Sequence, residues 1–165
     1  MVDNNGKTNF AFYLQKQTTT ATFAAGVGRV AGLEGQPVTA LTGLEWQHRN
    51  DGWCGAGAPR WTIVVTGSDG DTYFVHLGCA AATHSAGDAP NWIRDSYTGA
   101  EIQTAVQDAI LAQGGMLAAV SGATIDRLLI IFDEGTDIAG NPGFVYLGNI
   151  TVNSKVWTGP ADNGN

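Results

Sequence analysis

The chain has 165 residues, of which 44% are hydrophobic and 14% are charged. This length predicts one domain, residues 1–165, with room for a real core, and the charged share is below the usual ~25%. Eight basic and fifteen acidic residues give a formal net charge of -7 without any basic stripe, which disfavours nucleic-acid binding. No apolar run approaches the ~20 residues that span a bilayer, so no membrane span is expected.

The N-terminal stretch MVDNNGKTNF lacks the basic region and apolar core of a signal peptide. Three interpretations stay open: a protein made inside a cell, a secreted protein whose signal was removed before a non-native Met1, and a viral assembly protein. The terminal segments, about residues 1–8 and 159–165, are expected to be mobile because polar chain ends have little to pack against.

Strand-like alternation begins at TNFAFYLQKQ, where every second residue over 10–14 is apolar. The following TTTATFAAG is a candidate continuation of that strand. Further along, WTIVVTG and TYFVHLGC are joined by GSDGD, whose Gly and Asp residues tolerate positive φ. These segments predict a hairpin formed by residues 61–66 and 72–79.

The segment SYTGAEIQTAVQDAILAQGG has a different period. Thr98 and Glu101 have the spacing of a capping box, and apolar residues recur at every fourth position from Ile102. A glycine after the last repeat can end a helix in a left-handed conformation. We predict one helix over about 99–113, covering an edge or end of the sheets.

Two more strands follow the predicted helix. IDRLLIIFDEG is typical of a buried strand, and FVYLGNITVN is the last clear strand. Its alternation predicts that Phe144, Tyr146, Ile150 and Val152 share one side. The many short strands and 23 glycines together predict a mainly β protein.

Several of these segments resemble a β-sandwich domain of secreted or surface bacterial proteins: CGAGAPRWTIVV, YFVHLGC, NWIRD, LLIIFDEGTD and GFVYLGNITVN. The last two also resemble the closing strands of jelly-roll carbohydrate-binding modules. The resemblance covers residues 52–153. It implies a jelly-roll-type β-sandwich with one covering helix, and an extracellular or surface-displayed location, with a virion as the alternative. Such modules often carry a calcium-serving Asp-Asn-Ile triplet in the final strand, but here the triplet is Gly148-Asn149-Ile150 and the carboxylate is missing.

Cys54 and Cys79 flank the predicted hairpin. Their positions, together with the resemblance, imply a disulfide that closes a loop of about 25 residues and stabilises by roughly 3 kcal/mol on the chain-entropy model. A disulfide is typical of an oxidising compartment, and two buried free thiols are the alternative.

A zinc site is less favoured. The candidate ligands His76, Cys79 and His84 are close in sequence, with Cys54 as a fourth ligand, but strand alternation places His76 on the face opposite Cys79.

The carboxylates Asp133, Glu134 and Asp137 follow the predicted buried strand. They form an oxygen-rich loop that is a weak calcium candidate, with turn capping as the favoured alternative. No other cofactor is expected. A glycosidase needs two opposed carboxylates, one with a raised pKa, so a glycan-acting hydrolase using Asp133 or Glu134 is kept as a third function.

Three tryptophans, Trp46, Trp53 and Trp92, lie in polar, loop-like surroundings. With Arg94 they form a candidate ligand-binding platform, because sugar rings pack on aromatic planes beside a few polar groups. Burial in the core is the alternative for each tryptophan.

The expected function is that of a non-catalytic module that binds carbohydrate or another surface polymer. The alternative is a structural subunit of an extracellular assembly, such as a virion decoration or fibre protein, which would form homo-oligomers through edge strands or apolar patches.

Overall fold

Ten β-strands and two α-helices form the described part of the chain, residue 6 and residues 10–158 of a computed structural model. In chain order the strands are β1 (Ala11–Gln15), β2 (Gly26–Val30), β3 (Gly43–Arg49), β4 (Arg60–Thr66), β5 (Thr72–Gly78), β6 (Thr83–Ala86), β7 (Trp92–Thr98), β8 (Thr124–Phe132), β9 (Phe144–Val152) and β10 (Lys155–Trp157). The helices are α1 (Gly99–Ala112) and α2 (Leu117–Val120). The predicted mobility of residues 1–8 and 159–165 lies outside the described residues, apart from Gly6.

The strands make two antiparallel sheets that pack face to face. The first has the order β1-β9-β3-β7-β6, with β10 pairing to the end of β9, and the second has the order β2-β8-β4-β5. The pairs are nested, since β1 pairs with β9, β2 with β8, β3 with β7 and β4 with β5. The chain is therefore one long hairpin folded across two sheets, which is the arrangement of a jelly roll. The predicted jelly-roll-type β-sandwich is confirmed.

The core lies between the two sheets, and two aromatic rings stack on each other there, one from each sheet. Trp46 from the first sheet and Trp61 from the second stack with centroids 4.9 Å apart and an interplanar angle of 22°. Both side chains are almost completely buried, so this pair contributes a large apolar area and a defined ring geometry. The predicted hairpin is confirmed as β4 and β5, which supply much of the second sheet's inner face.

Helix α1 covers one side of the sandwich and packs mainly against β5. The predicted capping box is present: Thr98 Oγ1 accepts the Glu101 N–H, and the Glu101 carboxylate accepts the Thr98 N–H at 2.7 Å. The buried side of the helix consists of Ile102, Val106 and Ile110. The prediction of a helix over 99–113 is confirmed. Within the described chain, neither helix combines the length and apolar character needed to cross a membrane.

The segment TTTATFAAG does not continue the first strand. Lys16, which is buried, donates hydrogen bonds from Nζ to the carbonyl oxygens of Thr20, Thr22 and Asp133. A buried ammonium group needs such partners because it has lost its water. The backbone therefore curls around the Lys16 side chain and enters the second sheet at β2, so the predicted continuation of the strand is wrong.

A β-bulge interrupts β9 at Asn149, which has a φ of 47°. The register between β3 and β9 shifts there, and the extra residue reverses which side chains face inward. Val152 is consequently buried, whereas Phe144 and Tyr146 remain partly exposed on the other face. The prediction that the four residues share one side is therefore wrong: beyond the bulge Ile150 packs against the core and Val152 is buried, on the side opposite to Phe144 and Tyr146.

Replacing Thr98 with alanine is expected to lower the free energy of unfolding by about 1 kcal/mol, because α1 loses the side-chain acceptor at its N-terminus. Thr104→Ala is the matched control, since Thr104 is exposed on the same helix and alanine is a better helix former. Urea denaturation measures both. Equal losses in the two variants would contradict the capping role of Thr98.

Candidate functional site

The structure does not bring the four predicted platform residues, Trp46, Trp53, Trp92 and Arg94, onto one surface. Trp46 is fully buried on the inner face of β3 and is unavailable to a ligand, which corrects its predicted role. Trp46 lies directly opposite Asp95 of β7. Because side chains alternate along a strand, Trp92 and Arg94 point to the outer face. Trp92 is itself buried there, so Arg94 is the member of this pair that a ligand can reach.

The outer face of the first sheet carries aromatic side chains that the platform prediction did not include. Tyr13 of β1 lies opposite Tyr146 of β9, with ring centroids 4.7 Å apart, and Phe144 is 5.7 Å from Tyr146. The Arg49 guanidinium lies 4.0 Å from the Tyr146 ring centroid. Tyr13 is 42% exposed. We call these four residues the aromatic row; they form an amphipathic surface across three strands.

A charged group lies next to the aromatic row on the same face. Glu45 and Arg49 both point outward from β3, and Arg94 donates hydrogen bonds from Nε to Glu45 and from its terminal nitrogen to Asp88. All three members of this group, Glu45, Asp88 and Arg94, are partly exposed. A hydrogen bond from Gln47 lowers the pKa of Asp88; burial opposes this effect and the Arg94 charge adds to it. Asp88 is therefore a carboxylate at neutral pH.

Two buried amides hold the charged group in place. Gln47 donates to the Asp88 carboxylate at 2.7 Å and accepts the Asp88 N–H at 2.8 Å. Asn149, at the bulge in β9, donates to the same carboxylate at 3.0 Å. Both amides are buried, where hydrogen bonds are strong and a missing partner is costly. The charged group is thus fixed before any ligand arrives, which reduces the ordering cost of binding. The aromatic row and the charged group together form the outer-face site.

The three predicted calcium candidates, Asp133, Glu134 and Asp137, are each held by a different partner. Asp133 forms a bidentate ion pair with Arg60, with contacts of 2.5 and 2.7 Å. Burial raises the pKa of Asp133, but the hydrogen bonds and charge of Arg60, with the charge of Lys16, outweigh burial and lower the pKa overall. The bidentate arginine engages both carboxylate oxygens that a calcium ion would use. A lowered pKa is also the opposite of what a general acid needs.

Glu134 and Asp137 stabilise loops. The Glu134 carboxylate accepts hydrogen bonds from the indole N–H of Trp53 and from the backbone N–H of Gly57, and a side chain at Gly57 would collide with it. Trp53 is half-buried through this contact. Asp137 accepts two hydrogen bonds from Thr20, both 2.7 Å long. The carboxylates do not converge on one point, so the structure does not favour the predicted calcium site.

Cys54 and Cys79 form a disulfide, with Cα atoms 5.1 Å apart. This confirms the predicted pairing and joins the loop before β4 to the end of β5. His76 points to the opposite face of β5, where its Nδ1 is 3.1 Å from Thr62 Oγ1. The predicted separation of His76 from Cys79 therefore holds.

A buried carboxylate, Asp95, lies beside this disulfide on the inner face of β7. It accepts a hydrogen bond from the indole N–H of Trp46 at 2.8 Å. His48 Nδ1 is 2.5 Å from one carboxylate oxygen, and His84 Nδ1 is 2.7 Å from the other. Asp95 is only 1% exposed, so these three partners provide the hydrogen bonds that water cannot.

No family model, curated protein or solved structure matches this chain. The assignment of the candidate sites consequently depends on their geometry and chemistry.

The sequence contained one signal for the aromatic row that the platform prediction did not use. Tyr13 alternates against Phe12 and Leu14, and Phe144 and Tyr146 are two residues apart, as expected for outward-facing positions on strands. The missing information was that β1 and β9 are neighbours, although more than 120 residues separate them. No local sequence pattern indicated that Trp46, His48 and His84 would surround Asp95, because these residues lie on three different strands.

Asp133→Asn is expected to lower the free energy of unfolding by about 1–2 kcal/mol at neutral pH, because Arg60 loses its charged partner. The folded-state pKa of Asp133 lies below its ordinary value of 3.8. Its stabilising contribution is therefore present above pH ~4 and is lost as the pH falls through the folded-state pKa. The difference in the free energy of unfolding between wild type and Asp133→Asn should therefore decrease from pH 7 to pH 3, as measured by urea denaturation at each pH.

Asp108→Asn is the control, since it makes the same charge change at an exposed position of α1. A gap between wild type and Asp133→Asn that stays constant over the whole pH range would contradict a role for the ionised carboxylate.

Proposed function

We propose that the protein is a non-catalytic, secreted or surface-displayed module that binds carbohydrate through the outer-face site. The observation that carries the proposal is the ring pair of exposed Tyr13 and partly exposed Tyr146 beside the charged group on one sheet face. Sugar rings have apolar C–H faces and polar hydroxyl edges. The aromatic row offers planes for the faces, and the charged group offers donors and acceptors for the hydroxyls.

The charged group fits hydroxyl recognition better than recognition of a strongly charged ligand. Arg94 is flanked by Glu45 and Asp88, so its positive charge offsets one of the two carboxylates and the group keeps a formal charge of only -1. The three side chains are partly exposed, and a hydroxyl can donate to a carboxylate oxygen and accept from a guanidinium N–H. The net charge of -7 further favours neutral over acidic polymers through long-range repulsion.

Two features support the proposed extracellular location and the proposed relationship to carbohydrate-binding modules. The disulfide is compatible with an extracellular protein, since such bonds persist in oxidising compartments. The jelly-roll strand order and a ligand site on a sheet face support kinship with carbohydrate-binding modules, which we propose on that basis.

Tyr146→Ala is expected to weaken glycan binding about tenfold or more, because a well-packed aromatic contact contributes on the order of 1 kcal/mol beyond its apolar area. Tyr13→Ala should produce a similar loss. A glycan array identifies the ligand, and titration calorimetry then gives the affinity of each variant. Phe74→Ala is the matched control, since Phe74 is an exposed aromatic residue on the second sheet. Unchanged affinity in Tyr146→Ala, or an equal loss in Phe74→Ala, would contradict the proposal.

A second candidate function, a self-associating structural subunit, is favoured by apolar side chains around the C-terminal end of α1. Gln113 binds the backbone N–H and C=O of Phe74 and so ties this end of the helix to the edge strand β5. The exposed apolar residues on β5, at the end of α1 and at the start of α2 are Phe74, Leu111, Met116 and Leu117. Exposed apolar side chains that form one patch commonly mark protein–protein contacts.

If this surface joins copies of the chain, the mass measured by light scattering should rise with protein concentration. Met116→Lys should then return the protein to a monomer, because it places a charge in a desolvated contact. Lys substitution at Val27, an exposed apolar residue of β2, is the control. A mass that stays monomeric at all concentrations would exclude self-association through this surface.

A further inference from the structure

A second set of reactive side chains lies against the inner face of the first sheet, separate from the outer-face site. It consists of His48, Cys54, Cys79 and Asp95. One candidate ligand atom from each residue can be chosen such that all four atoms lie within 4.8 Å of one another. These residues come from β3, the loop before β4, the turn directly after β5, and β7, so only the folded chain assembles them.

Two of the distances among these atoms are close to those around a tetrahedral metal ion. Cys79 Sγ is 3.6 Å from Asp95 Oδ2 and 3.9 Å from His48 Nδ1. With usual zinc–sulfur, zinc–nitrogen and zinc–oxygen bond lengths, neighbouring ligand atoms are about 3.4–3.8 Å apart. His48 Nδ1 and Asp95 Oδ2 are 2.5 Å apart, and they would separate by about 1 Å when a metal ion replaces the proton between them.

The surroundings suit a structural zinc site. Three of the four residues are buried and Cys54 is partly buried, and structural zinc sites are similarly closed to water. Two thiolates, an imidazole and a carboxylate form a donor set that zinc accepts readily. In the observed oxidised state the sulfurs are bonded to each other, so they become ligands only after reduction.

Two further residues already orient the carboxylate. The Trp46 indole N–H donates to Asp95 Oδ2, and His84 Nδ1 is 2.7 Å from Oδ1. Hydrogen bonds of this kind, made to a ligand by residues that do not touch the metal, position metal ligands in known sites. Trp46 and His84 would therefore act as positioning residues.

We propose that the reduced protein binds one zinc ion through Cys54, Cys79, His48 and Asp95, in place of the disulfide. A dithiol reductant supplies two electrons and two protons to the disulfide, which becomes two thiols while the dithiol becomes a cyclic disulfide. Zn²⁺ then displaces the two thiol protons and forms two zinc–sulfur bonds. The proton between His48 Nδ1 and Asp95 Oδ2 moves by way of solvent to Nε2, so that the Nδ1 lone pair becomes free to bind the metal.

This exchange has a structural consequence. The loop that contains Cys54 and the end of β5 remain joined in both redox states, by a disulfide in an oxidising compartment and by a zinc ion in a reducing one. The two segments would thus be cross-linked while the protein folds inside a cell as well as after export.

The test begins with the full chain, reduced by a dithiol that is then removed without oxygen, and titrated with Co²⁺ as a spectroscopic probe. We expect one Co²⁺ per chain, with thiolate-to-metal charge-transfer absorption that Zn²⁺ abolishes by displacement. We also expect the melting temperature of the reduced protein to rise on addition of Zn²⁺. The oxidised protein should show neither effect.

Variants separate ligands from other residues. His48→Gln should lower the affinity of the reduced protein for Zn²⁺ at least tenfold, and His84→Gln should cause a smaller loss of the size typical of a positioning residue. His84 is partly exposed, so this second variant keeps the test informative if the first does not fold. His76→Gln is the matched control and should leave the affinity unchanged.

Several outcomes would overturn the proposal. The first is a reduced protein that shows no thiolate-to-cobalt absorption, and the second is a reduced chain that unfolds in the presence of Zn²⁺. The third is an affinity for Zn²⁺ that equals the wild-type value in both His48→Gln and His84→Gln. Equal binding of Zn²⁺ by the oxidised protein would overturn it as well, since the sulfurs could not then be ligands.

Discussion

The pairing of β3 with β7 is the constraint on which both candidate sites depend. It sets Trp46 opposite Asp95, and alternation then assigns every neighbouring side chain to one face or the other. On the inner face this register brings His48 to the Asp95 carboxylate. On the outer face it brings Gln47 opposite Arg94. A shift of one residue in this pair would exchange the two faces and remove both sites.

Buried polar groups specify the register of this pair beyond what apolar burial alone would require. Asp95 on the inner face and Gln47 on the outer face are both nearly inaccessible to water. Each is satisfied only by partners on other strands or turns, and an alternative register would leave such groups without hydrogen bonds. The same bonds hold the side chains of both sites in defined positions, so structural specificity and preorganisation for binding have a common origin.

Charged residues at the other end of the sandwich have a different role. Lys16 and Arg60 are largely withdrawn from water, and they are satisfied by backbone carbonyls and by the Asp133 carboxylate. The acidic residues after β8 therefore serve to anchor loops. This leaves the outer face of the first sheet, with its partly exposed rings and its fixed charged group, as the surface best suited to a ligand.

The sequence by itself determined the features that depend on neighbouring residues: the hairpin of β4 and β5, and the capped helix α1. The backbone periods of strands and helices and the geometry of caps are local, so they can be read directly. The resemblance added the jelly-roll order and, with the hairpin, the Cys54–Cys79 pairing. Only the tertiary structure decided that Trp46 is buried, that Tyr13 meets Tyr146, and that β9 reverses its faces at Asn149. Those outcomes depend on which distant strands become neighbours and in what register, and the free energy that selects them comes from packing and hydrogen bonding across the whole sandwich.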